Sequence, residues 1–330
     1  MRAMVVNAAG LDRIERADLP IPEPGPGEVQ VRIKAATLNY RDLLILQKGN
    51  PDGKLPYIPL SCACGEVTAL GSGVSRVAKG ERVMPAFFQN WISGPSPQPP
   101  RALGGALEGV AREYACFPEE ALASVADELG DLEAATLPCA GLTAWHALFV
   151  AHATKPGDTV LLMGTGGVSI AGLQLAKAAG ATVIITSSSR SKLSRARALG
   201  ADHTINYLEV PDWGDRAREI TGGRGVDLVL EVGGSETLAQ SARALREGGE
   251  VAGIGLLTGT TVWHAKEPKA KLLRIRVGSR EQLDDLVRGV VAVGMRPVVD
   301  RVFRLEELGA ALAALQSGQF FGKIGIEISR

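Results

Sequence analysis

The sequence predicts an α/β protein of two domains, a small β-barrel-like domain and a doubly wound parallel sheet. Three observations predict it. From about residue 131 onward apolar strands alternate with helices, and those strands are near-continuous apolar runs, as in a parallel sheet covered on both faces. Before about residue 125 the pattern is short strands broken by glycines, the spacing of a small barrel. A chain of 330 residues is also long enough to bury two cores.

The elements follow in order. PEPGPGE (22–28) is a turn-rich approach to EVQVRIKAATL (28–38), which alternates as a half-buried strand should. CGEVTALGSGVSRVAKGERVMPA (64–86) reads as short strands. QNWISGPSPQPPRALGGALEG (89–109), rich in proline and glycine, reads as a long surface loop. DLEAATLPCAGLTAWHALF (131–149) reads as a helix. Strands TVLLMG (159–164), TVIIT (182–186), HTINY (203–207), VDLVLEV (226–232) and GEVAGIG (249–255) alternate with helices over 167–180, 190–199, 212–222 and 235–247. A helix at 280–295, a strand at 296–305, a further helix and a strand at 322–328 complete the chain.

Lys plus Arg equals Asp plus Glu at 36 each, so bulk charge points to neither a nucleic-acid partner nor an anionic membrane. The start, MRAMVVNAAGLDRIE, lacks the apolar region of a signal peptide. The longest apolar stretch, 137–153, is short for a membrane span and contains His146 and His152, so a buried helix is expected. Cys62, Cys64, Cys116 and Cys139 are too few and too irregular for a disulfide scaffold and fit reduced thiols in a cytoplasm. His146, His152, His203 and His264 show no metal-ligand spacing, and none joins a G-x-S-x-G elbow. His152 reads as structural and His203 as a rim residue.

Gly164, Gly166 and Gly167 fall where a strand meets a helix. Glycine there permits a tight turn and close approach to a pyrophosphate, and the free N–H groups at the helix start, Val168 included, bind its charge. Ser169 takes the third fingerprint position, where it is small enough for helix–strand packing. A glycine-rich turn without a ligand is the other reading. An NAD site places Asp or Glu at the end of the second strand, to accept from the ribose 2′-hydroxyl. Ser187 stands there instead, followed by Ser188, Ser189, Arg190, Ser191 and Lys192. Hydroxyls and two cations suit a 2′-phosphate, and the segment contains no carboxylate to repel it, so NADPH is favoured over NADH. Alternatively Ser189 caps the next helix, with Arg190 and Lys192 solvated.

PGPGEVQVRIKAATLNYRDLLILQKG (24–49), GEVTALGSGVSRVAKGERV (65–83), AATLPCAGLTAWHAL (134–148), GTGGVSIAGLQLAKAAGATVI (164–184), ALGADHTINY (198–207), VGSREQL (277–283) and FGKIGI (321–326) run through nearly the whole chain. With them the chain resembles the medium-chain dehydrogenase/reductase superfamily, and within it the zinc-free quinone oxidoreductase branch. The resemblance implies a GroES-like β-barrel catalytic domain over 1–125. It implies a Rossmann NAD(P)-binding domain over 126–277, and a return to the catalytic domain over 278–330.

In zinc alcohol dehydrogenases of that superfamily a cysteine, a histidine and a second cysteine hold the catalytic zinc. Here the first position, in NYRD (39–42), is Asn39, and the second, in LSC (60–62), is Ser61; only Cys139 remains. Amide and hydroxyl replace thiolate and imidazole poorly on zinc, so a metal-free enzyme is expected. The resemblance also brings Cys62 near Cys139. Two thiols close to Asp42 or His146 could hold an adventitious metal or form a redox pair, or be plain small core residues.

Without a Lewis acid the site suits acceptors that take hydride readily, namely quinones and α,β-unsaturated carbonyls. Asn39, Tyr40 and Ser61 are the candidate donors to the developing oxygen, and water the proton source. The alternative reading of Tyr40 is a packed aromatic on the pocket wall, whose other parts come from loops 45–58 and 86–108. By resemblance Thr143 lies near the nicotinamide, and Val232, Ile254, Val277, Gly278 and Ser279 line the nicotinamide-ribose channel. Tyr207 lies by the adenine ribose, and Lys323 on the closing tail. An alcohol dehydrogenase or aldehyde reductase is the enzyme alternative, and an NADPH-binding scaffold with little turnover is a second. A small-molecule substrate and a homodimer, formed through an edge strand such as LLRIRVG (272–278), are expected.

Overall fold

The structure, a computed structural model, describes residues 1–50, 52, 54–255 and 270–329. They form two compact units, Met1–Leu142 with Val277–Arg330, and Thr143–Arg276. His264 lies outside the described residues.

The first unit opens with the antiparallel strands β1 (Arg2–Val6) and β2 (Ile14–Asp18). β3 (Glu28–Thr37) leads through Asn39 into α1 (Tyr40–Lys48). β4 (Cys62–Leu70), β5 (Arg82–Pro85), β6 (Tyr114–Pro118) and β7 (Leu122–Ser124) follow. β3 pairs antiparallel with both β4 and β6, and β5 joins β4 to β7. The alternation seen in β3 has its expected cause: Val29, Val31 and Ile33 point into the core while Gln30, Arg32 and Lys34 face outward. Residues 89–109 carry no named strand or helix, and Phe87, Phe88, Trp91 and Ala102 pack there with Cys139 and Val277.

α2 (Asp131–Ala151) is long and apolar enough to cross a membrane, but 67% of its most apolar window is buried, as in a core helix. Its turns widen to π-type over Leu137–Gly141, next to Pro138, which has no N–H to donate.

The second unit alternates as expected: β8 (Thr159–Leu162), α3 (Gly167–Ala178), β9 (Thr182–Ser187), α4 (Arg190–Ala198), β10 (His203–Asn206), α5 (Trp213–Ile220), β11 (Val226–Glu231), α6 (Leu238–Ala244), β12 (Leu245–Gly253) and β13 (Lys271–Arg274). The sheet order is β10-β9-β8-β11-β12-β13, and every pairing is parallel. Strand order therefore reverses at β8, the switch point where such sheets bind ligands beyond their strand ends. Val160, Leu161, Leu162, Ile184, Val229 and Leu230 are fully buried, which is why these strands read as unbroken apolar runs.

The chain then returns to the first unit through α7 (Arg280–Ala292), β14 (Val299–Arg304), α8 (Leu308–Gln316) and β15 (Lys323–Glu327). β15 lies parallel to β14 and antiparallel to β3.

Two boundaries differ from the sequence reading. The units part after Leu142, not after residue 125, because the first half of α2 packs into the first unit. Thr37 Oγ1 donates to the Ala135 carbonyl at 2.7 Å, and Gly141 lies against Leu286 of α7. The helix expected to reach residue 247 ends at Ala244, because Leu245 is buried and already pairs with Val226.

Candidate active site

The chain leaves β3 at Thr37 and enters α1 at Tyr40, so Asn39 is the residue before the helix. The Asp42 carboxylate accepts the Asn39 N–H at 2.8 Å, which fixes the helix start. The Asn39 side chain turns inward. Its Oδ1 accepts from Lys323 Nζ at 2.6 Å, and its Nδ2 donates to Ser61 Oγ and to Cys62 Sγ, both at 3.1 Å. Lys323 Nζ also donates to the Leu38 carbonyl. Asn39, Asp42, Ser61, Cys62 and Lys323 are all buried. Ser61 directly precedes β4 and Cys62 begins it, β15 supplies Lys323, and the pairing of both strands with the end of β3 aligns them with Asn39.

The cluster perturbs its own titrations. Burial pushes the Asp42 carboxyl up, against the Arg41 charge, the Asn39 N–H and the Lys323 charge. Burial also opposes ionisation of the Cys62 thiol. The hydrogen bond with Cys139, the Lys323 charge and the Asn39 amide outweigh it and bring Cys62 down to about 7. Cys139, the other half of that bond, is pushed well up by Cys62 and by burial. Nearby, the Arg41 guanidinium donates to the Leu103 carbonyl at 2.9 Å and lies 4.8 Å from the centre of the Phe87 ring.

The expected donors thus part company. Asn39 and Ser61 meet in the cluster, and the two Asn39 amide hydrogens are matched by Ser61 and Cys62. Tyr40 stays outside, 45% exposed on the first turn of α1. Lys323, expected on a cofactor-facing tail, instead holds the Asn39 amide. Among the described residues no group of three or more His, Cys, Asp or Glu side chains could hold a metal ion. An amide and a hydroxyl, at two of the three positions where the zinc relatives hold their metal, replace thiolate and imidazole poorly on zinc.

In the second unit β8 ends in the glycine turn. Gly164 has φ 70°, a left-handed conformation that favours glycine, and its N–H reaches Thr186 Oγ1 of β9 at 3.3 Å. A Cβ at Gly164 or Gly166 would meet nothing within 4 Å, so backbone lies open above the turn, a cradle that fits a pyrophosphate. Gly167 and Val168 begin α3 just after it. Ser169 is buried and donates to the Met163 carbonyl at 2.6 Å. Close helix–strand packing falls to Gly172, where a Cβ would lie 3.2 Å from Leu230 and 3.3 Å from Leu162.

At the end of β9, Ser187 Oγ accepts the Ser189 N–H at 3.2 Å, and Ser188 is exposed. Ser189 does cap α4, accepting the Lys192 N–H at 3.4 Å. Arg190 is not simply solvated: its side chain is 82% exposed, yet its Nε donates to Glu209 Oε1 at 2.6 Å. The segment 187–192 itself contains no carboxylate, but the turn after β10 brings Glu209 back to Arg190. Tyr207 donates its backbone N–H to the Ser187 carbonyl at 3.2 Å, which ties it to the same corner.

The remaining channel residues divide between the units. Thr143, Val232 and Ile254 belong to the second. Val277, Gly278 and Ser279 belong to the first, where Ser279 caps α7 by accepting the Gln282 N–H at 3.2 Å. Sequence reading missed Glu231. Buried at the end of β11, it accepts from the N–H groups of Gly233 at 2.7 Å and Gly234 at 3.1 Å and from the hydroxyls of Thr237 and Ser241. It thereby shapes the loop that carries Val232. His152 is structural as expected, its Nδ1 2.6 Å from Glu250.

A glycine cradle at the switch point of a parallel sheet, on a chain that also carries a β domain with a buried polar cluster, defines a two-domain dehydrogenase. The family of alcohol dehydrogenase GroES-like domains matches residues 25–127, and that of zinc-binding dehydrogenases matches residues 167–289. A zinc-type alcohol dehydrogenase-like protein of Schizosaccharomyces pombe is 40% identical over 97% of this chain and 96% of its own length. A 2-haloacrylate reductase of a Burkholderia species is 30% identical over 99% of each chain. Among solved structures, an NAD-dependent alcohol dehydrogenase is 35% identical, covers 100% of both chains and has a TM-score of 0.93. A mycobacterial protein complexed with NADPH is 27% identical over 99% of this chain and 100% of its own, with a TM-score of 0.85. A quinone oxidoreductase of Pseudomonas syringae is 27% identical over 99% of each, also with a TM-score of 0.85. The chain belongs to the medium-chain dehydrogenase/reductase superfamily, and it is an oxidoreductase.

Proposed function

We propose that the chain is a zinc-independent reductase of quinones or α,β-unsaturated carbonyls, using NADPH. The observation that carries the reading is the Asn39–Ser61–Lys323 cluster. It fills two of the three positions at which zinc relatives hold metal with an amide and a hydroxyl, and a lysine amino group binds that amide. Without a dication to polarise a simple carbonyl, conjugated acceptors are the easier substrates. The names of the 2-haloacrylate reductase and the quinone oxidoreductase support that class.

When bound, the nicotinamide supplies the hydride. The turn from Gly164 and Gly166 into the helix start at Gly167 and Val168 would hold the pyrophosphate, and Ser187, Ser188, Arg190 and Lys192 would take the 2′-phosphate. Tyr207, tied to that corner by its bond to Ser187, would lie on the adenosine side. Tyr40, the exposed member of the catalytic set, offers its hydroxyl to the oxygen on which charge develops. Asn39 and Ser61 hold the wall behind it, and water returns the proton.

The test is oxidation of NADPH and of NADH by chelator-treated protein, with quinones, enals, enones and simple aldehydes as acceptors. Turnover with NADPH and conjugated acceptors supports the reading. Activity lost on chelation and restored by zinc overturns it in favour of a metal alcohol dehydrogenase. Tight NADPH binding without turnover on any acceptor overturns it in favour of a scaffold.

A further inference from the structure

We propose that the Arg41 guanidinium binds a carboxylate on the acceptor, so that the preferred substrates are α,β-unsaturated carboxylates. The inference rests on the reading of the chain as a reductase of conjugated acceptors and names the acceptor within that class. Three observations carry it, all within the first unit.

The first is how Arg41 is held. It stands in the first turn of α1, directly after Tyr40 and two positions after Asn39. Its side chain is 26% exposed, so a ligand can reach it. The Phe87 ring covers one face of the guanidinium, 4.8 Å from ring centre to Cζ, and the Leu103 carbonyl accepts from Nη1 at 2.9 Å. A Cβ at Gly105 would lie 2.9 Å from Nη2, and the φ of Gly105 is not left-handed, so glycine there leaves room for this side chain. The second is what Arg41 leaves unused. Asp42 Oδ2 accepts the Asn39 N–H, while Oδ1 stands 3.9 Å from Arg41 Nη1, too far for a hydrogen bond. Among the described residues neither Nε nor Nη2 of Arg41 finds an acceptor. The third is how the chain treats that same edge elsewhere. Nε and Nη2 of Arg2 both donate to Glu113 Oε1, at 2.9 and 2.7 Å, and those of Arg82 both donate to Asp131 Oδ1, at 3.1 and 2.8 Å. There a carboxylate of the chain fills the edge; at Arg41 the edge is left for a ligand. With one face under Phe87, the open approach is in the plane of the fork, the geometry that suits a carboxylate.

The chemistry balances. The β-carbon of such an acceptor gains the hydride that the bound cofactor supplies, and a C–H bond forms. The C=C pair moves onto the α-carbon and its carboxylate, and water returns a proton to the α-carbon. The acceptor gains two electrons and two hydrogens, and the oxidised nicotinamide has lost the two electrons. Negative charge grows on the carboxylate oxygens as the pair moves, so bonds from Arg41 strengthen on the way to the transition state and serve the rate as well as binding.

But-2-enoate and its uncharged methyl ester are compared as acceptors, with NADPH and chelator-treated full-length protein, in the wild type, Arg41→Gln, Arg41→Lys and Gly105→Ala. The expected wild-type preference is for the carboxylate. In Arg41→Gln the ratio of the two kcat/KM values falls about ten- to a hundredfold, the scale of a hydrogen bond to a charged group. Arg41→Lys keeps the charge without the fork and restores only part of the ratio. Gly105→Ala displaces Nη2 with Arg41 still present and lowers the ratio too. A ratio that Arg41→Gln leaves unmoved overturns the proposal even where stability or both rates fall, since that is the result for a purely structural arginine. Turnover of quinones and enones with no wild-type preference for the carboxylate overturns it and leaves the reductase reading standing. A second readout needs no turnover: binding of but-2-enoate, followed by ligand-observed NMR, is expected in the wild type and lost in Arg41→Gln, and equal binding by the two overturns the proposal. If no quinone, enone or enoate is turned over, the reductase reading falls, and this binding measurement alone supports or overturns Arg41 as a carboxylate site.

Discussion

One amino group orders the buried cluster of the first unit. Lys323 Nζ holds the oxygen side of the Asn39 amide, which leaves the nitrogen side for Ser61 and Cys62. Replacing Lys323 by Met removes both the hold and the charge. The Cys62 thiol is then expected to titrate above its present value of about 7, read from the pH dependence of its thiolate absorbance. Stability should fall by about 1–3 kcal/mol, as for a buried acceptor left unmatched. At the other unit's corner, Glu209 holds Arg190 and, on the proposed NADPH reading, would compete with a 2′-phosphate for it. Glu209→Gln should raise NADPH affinity relative to NADH by up to roughly fivefold, the scale of an exposed ion pair, and Arg190→Ala should lower it, both measured by calorimetric titration. Asn39 and Ser61 were legible from sequence because each sits in a short segment with a recognisable neighbourhood. The partner of Asn39 was not, since it lies 284 positions away. Glu209 escaped for the same reason on a smaller scale: the turn after β10 returns it to Arg190 from 19 positions on.

Among the elements, the β8–α3 turn and the start of β11 make opposite demands. Gly164 needs a left-handed backbone, so Gly164→Val is expected to cost about 1–2 kcal/mol. On the proposed cofactor reading it should also abolish a thermal shift on adding NADPH. At β11 the demand is for charge. Asp227 accepts from Arg224, from Arg246 and from the Thr159 N–H at 2.8 Å, which ties β11 to the start of β8. Burial opposes its ionisation, but the two arginines and that N–H hold the carboxyl far below its ordinary value. Its contribution is therefore present above the unfolded carboxylate range, near pH 3.9, and is lost as the pH falls from there toward the folded value. Asp227→Asn should lose about 3 kcal/mol at neutral pH and flatten the acid limb of a stability–pH curve, measured by urea unfolding. Most strands of this sheet were legible because a parallel strand buried on both faces cannot avoid reading as an apolar run. The end of α6 was not, because Leu245 satisfies a helical face and a strand pairing equally well, and only its pairing with Val226 decides between them.

At the scale of the whole molecule, topology was the most legible property, since strand–helix alternation and a glycine turn leave few alternatives. The division of the chain was less so: α2 is one continuous helix whose first half belongs to one unit and whose second half to the other. Among the described residues β13 closes one edge of its sheet and has β12 on one side only. A homodimer paired along that edge is the proposed assembly. Light scattering should return twice the chain mass of 34.6 kDa, and Leu273→Asp should return the single mass.

The arrangement of the strands also sets an order of assembly during synthesis. The second unit is an unbroken run of chain, so every strand it needs has been synthesised before residues 277–330 are made. The first unit, though begun earlier, waits with the end of β3 unpaired on one side until β15 is threaded between it and β14. Lys323 arrives with that strand. Asn39 therefore gains the partner that orients it only after residue 323 is made, so the polar cluster forms later than the strands of the second unit.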